Sequence, residues 1–152
     1  MTVEKKTDVK FVKLCDGATV PTYGTKFSAG ADLYACNNGE TVKIECGETV
    51  LIHTGIALEI PCGYAGMIFA RSGIATKRGL APANKVGVID SDYRGEIMVP
   101  ILNHSNTVQE ISDGERIAQL IIMPYVCANF VQTDSLEDTV RSDKGFGSTG
   151  TK

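Results

Sequence analysis

Asp90 sits in the run Gly87-Val88-Ile89-Asp90-Ser91-Asp92-Tyr93-Arg94-Gly95-Glu96, where two apolar arms flank an acidic turn. That pattern predicts a hairpin with carboxylates at its tip. A solvated turn accounts for the same composition, because Asp and Ser are favoured there for backbone reasons. Tyr93 tips the balance: a plain turn has no use for a bulky ring, and Asp90 closes an apolar arm where a carboxylate can act as general base on water. Three weaker segments accompany it. Arg71-Ser72-Gly73 offers a guanidinium, a hydroxyl and backbone N–H groups to an anion, although a simple helix cap fits equally well. Ala29-Gly30-Ala31-Asp32-Leu33 puts Asp32 between small residues and a strand, a pattern that usually marks no more than a turn. Gln119 is a polar side chain within the apolar strand 116–123, where Arg116 could equally serve a structural ion pair.

The last twenty residues differ from the rest. From Thr133 the apolar period stops, and Phe146 stands alone among Gly145, Gly147, Ser148, Thr149 and Gly150. A frayed terminus is the plain alternative. A lone ring amid glycines and hydroxyls instead suits a segment that orders over a ligand, with amides wrapping a phosphate and the ring closing on a flat group. Gly145 to Gly150 also spells G-x-G-x-x-G. No helix follows to receive a pyrophosphate and no acid lies downstream, so the dinucleotide reading fails.

Other chemistries are excluded by what is missing. The two histidines, His53 and His104, have no nucleophile-elbow serine near them and read as solvated or hydrogen-bonded structural residues. Five cysteines, at 15, 36, 46, 62 and 127, form no C-x-x-C pair, which points to free, partly buried thiols rather than a disulfide or zinc framework. Pro61-Cys62 lacks the second cysteine and the H-x-E of zinc deaminases. A net charge of −3 gives no domain-wide basic footprint for nucleic acid. The longest apolar run, Leu120 to Ala128, is far shorter than the roughly 20 residues of a membrane span and contains Pro124. No signal peptide is visible, so the expected location is cytoplasmic.

The elements that must hold these side chains are short strands. A length of 152 residues predicts one domain, with 43% hydrophobic residues and enough core to fold without staples. Glycines, 16 in all, punctuate candidate strands at Val9–Leu14, Ala31–Tyr34, Thr41–Ile44, Thr49–His53, Ile56–Ile60, Tyr64–Ala70, Val86–Ile89, Glu96–Leu102, Arg116–Met123 and Asn129–Gln132. Near-regular spacing of this kind predicts an antiparallel sandwich, jelly roll or barrel. One helix is expected, with Ser72 as its N-cap and Gly79 at its end.

Five segments taken together, AGADLYA at 29–35, ARSGIA at 70–75, GVIDSDYRGE at 87–96, GERIAQL at 114–120 and RSDKGFGSTG at 141–150, resemble the five motifs of the trimeric all-β dUTPase family, in order and at family spacing. The resemblance runs from Val9 to the end of the chain. Departures are small: Ala70 replaces the usual Pro, Ile74 replaces Leu, and Ser142-Asp143-Lys144 stands where small residues are frequent.

The resemblance implies a single-domain distorted jelly-roll or β-barrel core (β-clip-like) over 1–132 with one short helix. It also implies a flexible C-terminal arm over 133–152 that carries the fifth motif. The implied reaction is hydrolysis of dUTP to dUMP and pyrophosphate with Mg²⁺, which lowers dUTP and supplies dUMP for thymidylate synthesis. Asp90 would deprotonate the water that attacks the α-phosphorus, and Gln119 would hold that water or an α-phosphate oxygen. Arg71, Ser72 and Gly73 would contact phosphates. Arg141, Ser148 and Thr149, beside Gly147, would bind the γ end. Asp32 would touch the waters of Mg²⁺ rather than the ion. Main-chain groups around Val88, Ile89 and Met98, with the Asn84 side chain, would read the uracil edge. Tyr93 would pack on the deoxyribose and Phe146 on the base. The sites would lie between the chains of a homotrimer, with no nucleic acid or membrane partner. The dCTP deaminases share that fold, but Asp90 and Tyr93 match the hydrolase pattern.

Overall fold

The structure is a computed structural model and describes residues 7–140, 142 and 143. The expected sites at Arg141, Phe146, Gly147, Ser148 and Thr149 therefore lie outside the described residues. Eleven strands are described: β1 (Lys10–Lys13), β2 (Thr22–Tyr23), β3 (Ala31–Tyr34), β4 (Val42–Ile44), β5 (Thr49–Glu59), β6 (Tyr64–Ala70), β7 (Leu80–Pro82), β8 (Gly87–Ile89), β9 (Glu96–Asn103), β10 (Gln109–Ile111) and β11 (Arg116–Pro124). One helix, α1 (Ser72–Arg78), joins β6 to β7.

The strands form a four-stranded sheet in the order β1-β5-β9-β7, a five-stranded sheet in the order β2-β3-β11-β6-β8, and the pair β10-β4. Every pairing is antiparallel. This is the all-β, jelly-roll-like architecture expected, with one correction: β1, β7, β2 and β8 end their sheets, so the sheets do not close into a barrel.

The core follows from alternation. Along β9 every second residue is buried, so Ile97, Val99 and Ile101 point inward beside Asn103. They meet Ile52 and Ile56 of β5, Leu33 of β3 and Ile117 of β11, all nearly inaccessible to water. Burying a side chain of this size contributes about 1.5–3 kcal/mol. Asn103 keeps its polarity satisfied by donating to the carbonyls of Ile44 at 2.9 Å and Thr107 at 2.8 Å. Cys36 is buried and Cys15 partly so, while Cys46, Cys62 and Cys127 are exposed; all five are free thiols.

Several expected boundaries move. The two strands expected at 49–53 and 56–60 are one, β5, because Gly55 makes an irregularity instead of a break. Gly55 adopts φ +66, and a Cβ there would lie 2.6 Å from Cys15 Sγ, so only glycine fits. The short strands β2, β7 and β10 carry too few residues to show a period in sequence. The strand expected over Asn129–Gln132 is absent: the chain from Tyr125 to Val140 has no strand and is exposed throughout. A strand needs a ladder partner, and this segment finds none among the described residues.

Two half-sites in one chain

Three neighbouring strands assemble the first cluster. Asp32 on β3 stands directly opposite Gln119 on β11, and Ala70, the last residue of β6, stands opposite Ala118. Arg71 follows at once, so its guanidinium reaches Asp32 across the sheet end, with Nε donating to Oδ1 at 2.8 Å. Arg116 would face the other side of β11 from Gln119 under strict alternation. A bulge between Arg116 and Ala118 re-aims it, pairing Arg116 with Tyr34 on the face that Asp32 shares. Ile117 and Ala118, both buried, are the two consecutive inward residues such a bulge produces. Arg116 Nη1 then donates to Asp32 Oδ2 at 3.3 Å, and Gln119 Nε2 to Oδ1 at 3.4 Å. A Cβ on Gly30 would sit 3.1 Å from Gln119 Cβ, which is why a small residue precedes Ala31.

Asp32 is 4% exposed, and its charge is compensated by two arginines. These bonds occupy three of its roughly four lone-pair sites, which leaves one on Oδ2 for a water. Among the described residues Arg71 engages Asp32 through Nε only, which leaves the four N–H groups of its two terminal nitrogens for an anion. Among the described residues no group of three or more His, Cys, Asp and Glu converges on one point, so a divalent cation here would depend on phosphate oxygens and water for most of its ligands.

The start of α1 differs from expectation. Arg71, not Ser72, takes the N-cap position, with extended φ −85 and ψ 128 and no side-chain cap. The carbonyl of Arg71 accepts the amide of Ala75 at 3.0 Å. Ser72 is thus the first helical residue, exposed, and its hydroxyl is not spent on capping. Gly73 has open space where a side chain would be.

The second cluster centres on Asp90, and it corrects the hairpin expectation. β8 pairs with β6 in the five-stranded sheet, whereas β9 pairs with β5 and β7 in the four-stranded one. The acidic turn, closed by Tyr93 N–H donating to the carbonyl of Asp90 at 3.2 Å, carries the chain from one sheet to the other. Beside it lies a cleft of about 240 Å³ lined by Leu51, Val88, Ile89, Asp90, Tyr93, Glu96 and Met98. Five of these seven are expected site residues. Leu51 carries no sequence signal, because it reads as an ordinary strand residue; Glu96 closes the motif at 87–96, but its place at the head of a strand gives no sign of a part in the cleft. Asn84 lies in the loop before β8, with its side-chain nitrogen 3.1 Å from the position a Cβ on Gly87 would take. Because β8 ends its sheet, alternate residues turn their N–H and C=O groups away from β6.

His53 is hydrogen-bonded, as expected, with Nδ1 2.9 Å from Glu96 Oε2. Burial pushes the Glu96 carboxyl up, but the bonds from His53 and the Gly55 amide outweigh that and hold it below the usual glutamate value.

The two clusters do not meet within one chain. Asp90 follows Ile89, which pairs with Gly66, so it stands level with Ala65; Gln119 stands level with Phe69. At about 3.3 Å per residue and 4.8 Å per strand, Asp90 and Gln119 are roughly 16 Å apart at Cα, and Asp32 lies one strand further. A single water cannot touch both.

A larger groove of about 840 Å³ holds none of the expected site residues. It runs beside the sheet-end strands β1 and β2, with Phe11, Tyr23, Leu58, Leu120 and Ile122 among its lining. Size alone does not make it a reactive site: its lining is mainly apolar, with Asp8 and Lys26 as its charged residues.

A profile of the dUTPase family matches residues 16–150. A deoxyuridine 5'-triphosphate nucleotidohydrolase of Nautilia profundicola is 49% identical over 142 residues, covering 93% of this chain and 98% of its own. The dUTPase of Staphylococcus bacteriophage 80alpha, solved with dUpNHpp, matches with a TM-score of 0.86 at 29% identity, over 95% of this chain and 99% of its own. A mutant dUTPase from phage phi11 of S. aureus matches with a TM-score of 0.78 at 26% identity, over 87% of this chain and 100% of its own, and is described as coordinating a structural Mg(II) ion.

Proposed function

The chain belongs to the dUTPase family, whose members hydrolyse dUTP to dUMP and pyrophosphate, and on that premise we propose how its residues divide the work. One observation carries the proposal: among the described residues the Arg71–Asp32–Arg116 cluster and the cleft that holds Asp90 lie apart in one chain. Joining the cluster of one chain to the cleft of another makes a complete site. A homotrimer with sites between subunits does this three times, by a head-to-tail contact that closes on itself.

In such a site Asp90 takes a proton from water as it attacks the α-phosphorus in line. Gln119 holds that water or an α-phosphate oxygen. The free terminal nitrogens of Arg71, the Ser72 hydroxyl and the backbone at Gly73 take the phosphate chain. Arg141, Ser148 and Thr149, beside Gly147, hold the γ end. Mg²⁺ on the triphosphate would supply charge neutralisation, with Asp32 offering its remaining lone pair to a metal-bound water. The compensation matters, because a protein of net charge −3 must bind a polyanion.

Uracil pairs with the outward main-chain groups of β8 around Val88 and Ile89, with help from Met98 and the Asn84 side chain. A peptide edge left unpaired by the wrong base rejects it by roughly 10⁴–10⁵, which suffices against cytosine. Thymine adds one methyl, worth about 1–3 kcal/mol, and must be stopped by a backbone wall. Tyr93 packs on the deoxyribose and Phe146 on the base.

Exposed apolar residues support a trimer. Phe11, Val12 and Tyr23 on the sheet ends, and Val126, Phe130 and Val131 in the 125–140 segment, stay largely in water in one chain. Patches of this kind mark contact surfaces. The segment from 133 onward, an arm apart from the core at 1–132, then reaches a neighbouring subunit.

Pyrophosphate release with Mg²⁺ across dUTP, dTTP, dCTP and UTP tests the reading. Fast release from dUTP alone is expected. Equal release from all four would overturn it, as would ammonia from dCTP.

A further inference from the structure

Tyr93 is not anchored by its own strand. Its hydroxyl donates to the carbonyl of Glu96 at 2.9 Å, and its ring covers Gly95 so closely that a Cβ there would lie 2.4 Å from Oη. The place of the ring is therefore the place of the backbone at 95 and 96. That backbone leads into β9 after the crossing between sheets, and the ladder that should fix it is interrupted. Pairing between β5 and β9 runs from Thr49 with Leu102 to His53 with Met98, then resumes only at Ala57 with Glu96. Across the gap, the Glu96 carboxylate takes over the work of the ladder. Oε1 accepts the Gly55 amide at 2.8 Å and Oε2 meets His53 Nδ1 at 2.9 Å. Both partners sit on β5, the strand that also contributes Leu51 to the cleft.

We infer that Glu96 and His53 are positioning residues for sugar selection: they tie the crossing backbone to β5 and so hold the Tyr93 ring at the width of a deoxyribose. The inference rests on the reading of Tyr93 as the ring that packs on the sugar. The physical need is specific. An apolar surface rejects an added hydroxyl by only about 10², and a ring free to retreat rejects it less. Among the described residues the Tyr93 hydroxyl has one partner, the carbonyl of Glu96, the residue whose side chain bridges to β5. Charge on that carboxylate strengthens both bonds it accepts.

Steady-state kinetics on dUTP and UTP, with folding followed by circular dichroism, tests this. His53→Leu removes a half-exposed partner and should lower the dUTP-to-UTP ratio of kcat/KM about threefold, the size of an exposed charged contact. The change should fall on KM for dUTP and leave kcat within about twofold. His53→Asn, which keeps a donor near the position of Nδ1, should restore the ratio. Glu96→Ala should lower it about tenfold, because it also orphans the Gly55 amide. Tyr93→Phe should lower it too, and adding His53→Leu to Tyr93→Phe should cost nothing further if both act through one ring. Should Glu96→Ala fail to fold, the His53 and Tyr93 variants decide alone. An unchanged ratio in folded His53→Leu, or full additivity with Tyr93→Phe, would overturn the inference. A wild-type enzyme that does not prefer dUTP to UTP would instead overturn the reading of Tyr93 beneath it.

Discussion

Asp32 and Asp90 are both aspartates near an expected phosphate, yet their surroundings differ sharply. Asp32 is buried between two guanidiniums, whereas Asp90 is exposed at a turn and, among the described residues, has no cation bonded to it. Asp90→Asn should therefore cut turnover by roughly 10²–10⁴, the share of a general base. Calorimetry with a non-hydrolysable dUTP analogue should show affinity within a few-fold of wild type, and undiminished hydrolysis would remove Asp90 from its role. Glu96 gives the molecule a pH dependence whose sign follows from its lowered pKa. Its stabilising bonds are fully present above the ordinary glutamate range and are lost as pH falls through the lower folded value. In urea melts, Glu96→Gln should thus cost more stability at pH 7 than at pH 3. An equal cost at both would mean the charge contributes nothing.

The elements explain which residues meet. Asp32, Gln119 and Arg71 come together because β3, β11 and β6 are neighbours in register, and a single bulge adds Arg116. In sequence each of the four is an isolated polar residue near a strand; only pairing reveals them as one cluster. The run from Gly87 to Glu96 looked like a hairpin because hydrophobic alternation with a turn is common to hairpins and to crossings between sheets. Which of the two forms depends on where the partners lie, and β6 and β5 claim the two arms separately. Gly55 likewise reads as a strand break, yet it serves as an irregularity within β5. For the arm, cutting the chain after Val140 should leave the cooperative unfolding transition unchanged and remove most dUTP hydrolysis, since no strand, buried residue or core contact lies beyond Pro124 among the described residues. A lower melting temperature in the truncated chain would make the arm structural.

At the level of the assembly, separated half-sites make a prediction that a self-contained site does not. Chains carrying Asp90→Asn and chains carrying Gln119→Ala should each be nearly inactive. Unfolded together in equal amounts and refolded, they should recover about one quarter of wild-type activity, because random assortment round a closed ring gives that fraction of sites an intact residue from each side. No recovery would place both residues in one chain's site. Sedimentation should give a particle of about three times 16.2 kDa, and a monomer would defeat the arrangement.

Residue types and their local spacing were enough to specify an all-β chain, its one short helix and its free thiols, because strand alternation, turn chemistry and side-chain chemistry are short-range properties. Registers, the bulge at Arg116, the sheet crossing at Asp90, the Glu96 bridge to β5 and the distance between the two half-sites had to await folding. Each depends on which strands become neighbours, and that is settled by burial of isoleucines far apart in the chain, a long-range choice that no local window contains.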